Sequence, residues 1–148
     1  MTLTMGDGQG YVLLRVGAGR YAVTMDDVGE IGRPPPVTRV PGMPAFVAGM
    51  ANWRGSALAV VDGRILLAVA TPRPAGHLAV LRRDGVELGL LVDGVDGVMD
   101  STEPPAAIPA GVPHATAALL RGSLLDPTGA PVAVLDTAAV IALRSAIG

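Results

Sequence analysis

The chain has 148 residues, a formal charge of −2 and 50% apolar residues, with one Trp, two Tyr and one Phe, which is enough chain to bury one sizeable core. Cys is absent, which excludes disulfides, thiolate metal sites and a Cys nucleophile. All 11 basic residues are Arg, scattered among 13 acids without a basic stripe, so no nucleic-acid interface is expected. The apolar run from Ile65 to Ala70 is far below the ~18 residues that span a bilayer, so no direct membrane insertion is expected. The start, MTLTMGDGQG, has neither a basic nor an apolar leader region, which points to a cytoplasmic protein.

In chain order, Tyr11 to Val16, the turn GAG and Arg20 to Met25 read as a β-hairpin, and Val28 to Ile31 continues extended. RPPPV (33–37) is a connection. PGMPAFVAGMA reads as a turn followed by one or two helical turns, with Pro44 near the first helical position. Ser56 to Val61 is a strand, and Asp62 is placed to cap a short helix over Gly63 to Val69. TPRPAG (71–76) separates two halves, and STEPPAAIPAGVP (101–113) is a further connection. Asp126-Pro127-Thr128-Gly129 reads as a tight hairpin turn. Asp136 then caps a C-terminal helix with apolar residues at 139, 140, 141 and 143.

Internal repetition organises these elements. A shift of 67 residues lays Tyr21–Ile31 on Leu88–Val98, Tyr11–Arg15 on Leu78–Arg82, and Arg54-Gly55-Ser56 on Arg121-Gly122-Ser123. Beyond an insertion at about Leu124 to Ala130, Ala57–Asp62 lies on Pro131–Asp136. The expected fold class is mainly β: two tandem five-stranded barrels packed together, with short helices and a C-terminal helix. One domain over 1–148 would hold pseudo-repeat subdomains of about 11–70 and 77–144, with exchange of elements between them left open.

Chemistry is sparse. GDGQG precedes the first strand instead of following one, and no Lys is present for a phosphate-binding loop. His77 and His114 have no second ligand at metal-binding spacing, and Ser56 and Ser123 have no nearby His. Asp26 and Asp93 fall on equivalent repeat positions, as structural Asp residues ordering turns would. The run Asp93, Asp96, Asp100 leaves a cation or ligand site as the alternative. No catalytic residue, cofactor site or metal site is expected.

Thr38 to Arg64, TRVPGMPAFVAGMANWRGSALAVVDGR, resembles the central signature of the CheW family, the coupling proteins of bacterial chemotaxis. YAVTMDDVGEI and VELGLLVDGVDGVMD are similar to two further family segments, and the likeness runs from about Tyr11 to Arg144. Gly63 departs from the family, which usually carries Leu before its Arg. The resemblance implies two SH3-like barrels and a non-enzymatic adaptor in the cytoplasm at membrane-associated receptor arrays. Its implied partners are the regulatory domain of a CheA-type histidine kinase and the cytoplasmic tips of methyl-accepting receptors, the latter received in a groove between the halves, with self-association in rings. Alternatives are a CheW-like scaffold of a chemosensory pathway for pili, development or a second messenger, or a small β-barrel ligand-binding module or enzyme.

Carried onto this sequence, the resemblance makes Val28, Glu30 and Arg54 candidate partner contacts, together with Asn52 and Trp53 of the same Asn-Trp-Arg-Gly corner. Val28 reads either as a docking residue in the polar stretch DDVGEI or as an inward Val matched by Val95. Glu30 faces Gly97 in the repeat, and an acid present in only one half is not demanded by a shared fold. Arg54 is matched by Arg121, which suggests a structural share in its work. Trp53 faces Leu120, which favours a core or half-buried plug.

Overall fold

The structure is a computed structural model that describes residues 8–69 and 76–147; the leader reading and most of the TPRPAG connection lie outside these residues. Strands β1 (Gln9–Val16) and β2 (Gly19–Thr24) form the expected hairpin, and a 3-10 turn over Met25–Asp27 leads into β3 (Val28–Gly32). The two-residue β4 (Val37–Thr38) is followed by β5 (Val47–Trp53), β6 (Ser56–Asp62) and α1 (Gly63–Leu66). Next come β7 (His77–Arg83), β8 (Val86–Val92), β9 (Gly94–Ser101), α2 (His114–Ala117), β10 (Leu120–Leu125) and β11 (Pro131–Leu135). The chain closes with α3 (Thr137–Ala142) and a 3-10 turn over Leu143–Ala146. Both expected caps form: Asp62 accepts from the Arg64 N–H at 2.9 Å and Asp136 from the Ala139 N–H at 3.1 Å. Among the described residues no helix is long and apolar enough to cross a membrane.

Two sheets carry the fold. One is five-stranded, ordered β10-β11-β2-β1-β9; the other is ordered β3-β7-β8-β6-β5-β4, its sixth strand being the short β4. Each repeat unit contributes to both. The first hairpin, β1–β2, is completed by β9 on one side and by β11, in parallel, on the other. The second hairpin, β7–β8, is completed by β3 and, in parallel, by β6. In chain order, the six-stranded sheet is built entirely from the continuous stretch Val28–Val92, which is nested between the strands of the other sheet.

The structure corrects the repeat register in its second part. Val28 and Val95 do occupy matching places, opposite Leu81 and Leu14. Gly122, however, corresponds to Gly49 and not to Gly55. Each of the two sits at a bulge opposite Val134 or Val60, with φ of 153° and 145°. A Cβ on either would overlap a carbonyl oxygen, that of Ala106 or Thr38. Arg121 therefore lies within a strand, whereas Arg54 lies in a turn, and the Arg-Gly-Ser match is coincidental. By the same register Leu120 answers Val47, not Trp53. The helical turns expected after Pro44 are also absent, because the chain enters β5 at Val47 and is held there by β6 on one side and β4 on the other.

Central strands are buried on both faces, which is why they read as continuous apolar runs. One face of each sheet lines its own interior: Tyr11, Leu13, Ala22, Met99, Val132 and Val134 in the five-stranded sheet, and Ala51, Leu58, Val60, Leu78 and Val80 in the other. The alternate residues Val12, Leu14, Val61, Ala79, Leu81, Leu88, Leu90 and Leu135 meet in a single cluster shared by both sheets, joined by Val140 and Ile141 of α3. That shared core supplies what neither half buries alone.

Candidate partner-binding site

The site begins with a turn. Arg54 and Gly55 connect β5 to β6 with φ of 54° and 83°, both left-handed, as a tight hairpin matching the twist of its strands requires. Asn52 fixes the turn by accepting the Gly55 N–H at 3.1 Å. Trp53 is half-buried and packs on the interior cluster of the six-stranded sheet. The Arg54 guanidinium lies over the Trp53 ring, 5.4 Å from its centroid.

Glu30 reaches this corner from β3. Arg54 donates from Nε to Glu30 Oε1 at 3.3 Å, and its Nη2 forms a close ion pair with Glu30 Oε2. In the order of the sheet β3 and β5 stand far apart, so their contact shows that the sheet curls round on itself. Trp53 Cη2 lies 3.5 Å from where a Cβ on Gly32 would stand, which closes the same seam. The hydrogen bond from Arg54 holds the Glu30 carboxyl below its usual range, with the Arg54 charge, the Trp53 side chain and the Arg82 charge adding to it and partial burial opposing it. Glu30 in turn raises the pKa of Arg54, mainly through the same hydrogen bond. The Arg54 side chain is 71% exposed and that of Glu30 33%, so the pair stands as a preformed charged feature on the surface.

The structure thus brings Asn52, Trp53, Arg54 and Glu30 together. Val28 lies two residues from Glu30 across a bulge, half-buried, opposite Leu81 and packed on the shared core. Two features went unread in the sequence. Arg82 donates to one oxygen of Glu87 from Nε at 2.9 Å and Nη2 at 2.7 Å, and its guanidinium lies across Gly29. The Asp84-Gly85 turn was the available signal, because it sets Arg82 opposite Glu87.

The acidic run has structural work. Asp93 accepts the Gly17 N–H and Asp96 pairs with Arg15 at 3.2 Å. In the first half it is Asp27, not Asp26, that is buried, and it pairs with Arg83 at 3.3 Å. Among the described residues no group of three or more His, Cys, Asp or Glu could hold a metal ion.

The model of the CheW-like domain matches residues 10–145. The chain belongs to the CheW-like domain family. Relatives of this CheW-like domain include the chemotaxis protein CheW of Rhizobium meliloti strain 1021, 34% identical over 99 residues, covering 66% of this chain and 63% of that protein. The probable chemotaxis protein CheW of Rhizobium etli is 30% identical over 104 residues, covering 69% of this chain and 66% of that protein. Protein PilI of Pseudomonas aeruginosa is 33% identical over 86 residues, covering 57% and 48%. The matches thus span less than two thirds of these relatives' own lengths. The crystal structure of the scaffolding protein TtCheW from Thermoanaerobacter tengcongensis shares the fold, with a TM-score of 0.76 at 21% identity over 86% of this chain and 88% of that one.

Proposed function

We propose that this CheW-like domain is a non-enzymatic adaptor in the cytoplasm, coupling methyl-accepting receptor tips to the regulatory domain of a CheA-type histidine kinase. The observation that carries the reading is the Glu30–Arg54 pair, set over Trp53 and left on the surface of a family scaffold. A rigid two-sheet body with such a corner holds two partners in fixed relative orientation. Receptor conformation then biases the kinase only through contacts that differ between signalling states. Val28, Glu30, Asn52, Trp53 and Arg54 are the proposed contacts, and self-association in rings is part of the same reading. The similarity to Protein PilI favours, as a second reading, the same adaptor in a chemosensory pathway for pili, development or a second messenger.

The test is a calorimetric titration with the regulatory domain of a CheA-type kinase from the same genome, beside Val28→Arg and Glu30→Arg variants shown to be folded. Saturable binding that a folded variant loses supports the adaptor. An absence of binding to any such kinase at tens of micromolar sinks the kinase-coupling role.

A further inference from the structure

The bulge in β3 and the bulge in β9 are two versions of one site. In β9 the extra residue is Asp96, between Val95 opposite Leu14 and Gly97 opposite Leu13. In β3 it is Gly29, between Val28 opposite Leu81 and Glu30 opposite Val80. Each bulge is faced by an arginine at the matching place on the next strand, Arg15 in β1 and Arg82 in β7. In the five-stranded sheet the bulge supplies the arginine's carboxylate, Asp96 Oδ1 at 3.2 Å from Arg15 Nε. In the six-stranded sheet the bulge supplies none, because position 29 has no side chain, and Arg82 takes a carboxylate from Glu87 on the neighbouring strand instead.

Backbone geometry does not call for glycine at this bulge, since Gly29 is not among the glycines with positive φ. Space is tight but open to a side chain: a Cβ there would stand 3.0 Å from Arg82 Nη2 and 3.1 Å from Cζ, the movable tip of an exposed arginine that can shift to make room. Glu87 engages two of the five N–H donors of Arg82 through a single oxygen, and the Arg82 side chain remains 55% exposed. Nearby acids are committed elsewhere, Glu30 to Arg54 and Asp27 to Arg83. The strip beside Glu30 therefore offers hydrogen-bond donors over a bare stretch of strand.

We infer that Arg82, laid over Gly29, is a specificity-determining contact that receives an Asp or Glu side chain of a protein partner, in the place that Asp96 fills at Arg15. The inference rests on the adaptor reading, and it adds a partner carboxylate next to the Glu30–Arg54 corner. Partner surfaces without an acid at that place bind less well, because the guanidinium then loses water without gaining an acceptor.

Gly29→Asp tests this directly by supplying the carboxylate internally, and Arg82→Gln removes the charge. Folding of both is checked by thermal melts. Against the kinase regulatory domain and a receptor cytoplasmic fragment, each variant is expected to weaken binding to one of the two about tenfold and to flatten its salt dependence. The double variant is expected to be no worse than either single one, because both remove the same contact. Wild-type affinity and salt dependence in folded Gly29→Asp and Arg82→Gln overturn the inference while leaving the adaptor in place. A wild-type chain that binds neither partner overturns the adaptor and this contact with it.

Discussion

Replacing Gly49 by Ala should damage the fold at the strand that leads into the Asn52–Arg54 turn. Gly49 has φ 145°, and a Cβ there would overlap the Thr38 carbonyl oxygen of β4. An L-residue held in that backbone region costs about 1–3 kcal/mol. Pushing β4 away also disturbs its two pairings, Val37 with Ala51 and Thr38 with Met50, worth about 0.5–1.5 kcal/mol for each hydrogen bond lost. The expected loss is therefore about 2–6 kcal/mol, a large part of the ~5–15 kcal/mol that holds a domain together. Gly42→Ala is the control, since Gly42 also has positive φ, 81°, but a Cβ there meets nothing within 4 Å; it should cost only about 1–2 kcal/mol. Urea unfolding of the two variants and the wild type measures the difference. Equal losses in Gly49→Ala and Gly42→Ala would refute the argument that the close approach of β4 is what requires glycine in β5.

Leu81 is fully buried in the core shared by both sheets, so Leu81→Ala should cost about 2–5 kcal/mol and leave a single unfolding transition in calorimetry; two separated transitions would show that the sheets unfold independently. Asp126 accepts from Thr128 N and Oγ1 and from Ala130 N, at 2.8, 2.6 and 2.9 Å, and pairs with Arg20. The Thr128 hydroxyl first, then the Ala130 N–H, Arg20 and the Thr128 N–H, hold its carboxyl well below the usual carboxylate range, against the opposing effect of burial. A folded pKa below the unfolded one gives stability that is complete above the unfolded value of ~3.9 and lost as pH falls below it, so Asp126→Asn should be less stable at pH 7 and flatten the acid limb of a urea-midpoint series. An unchanged acid limb would remove that assignment. Arg54→Ala should weaken kinase or receptor binding while leaving the melting temperature near that of the wild type, because its side chain is 71% exposed; a large drop in melting temperature would make the corner structural instead.

Much of this architecture was readable from apolar patterning, because strands buried on both faces leave uninterrupted runs such as Leu78-Ala79-Val80-Leu81. The stretch after Pro44 misled because Ala and Met favour helix locally, and only pairing with β4 and β6 makes it a strand. The coincidence of two Arg-Gly-Ser triplets hid the true partners, Gly49 and Gly122, whose shared property is a backbone approach that no side chain advertises. Glu30 was marked out by its lack of a repeat counterpart. Its contact with Arg54 was not legible, since the two are 24 residues apart and meet only because the sheet curls. The position of Val28 on the shared core likewise depends on Leu81 of the other repeat unit.

The nesting of one sheet within the other also sets an order of assembly on the ribosome. The hairpin β1–β2 is made first, yet its neighbours β9 and β11 are among the last strands to emerge. At about 5–20 residues per second that wait is on the order of ten seconds. Meanwhile Val28–Val92 can complete its own sheet and present the half of the shared core it contributes. The early hairpin, with apolar residues on both faces, then has a folded surface to settle on before its own sheet exists. Substitutions that slow the inner sheet should therefore expose the hairpin to aggregation during synthesis, even where they barely change the stability of the finished protein.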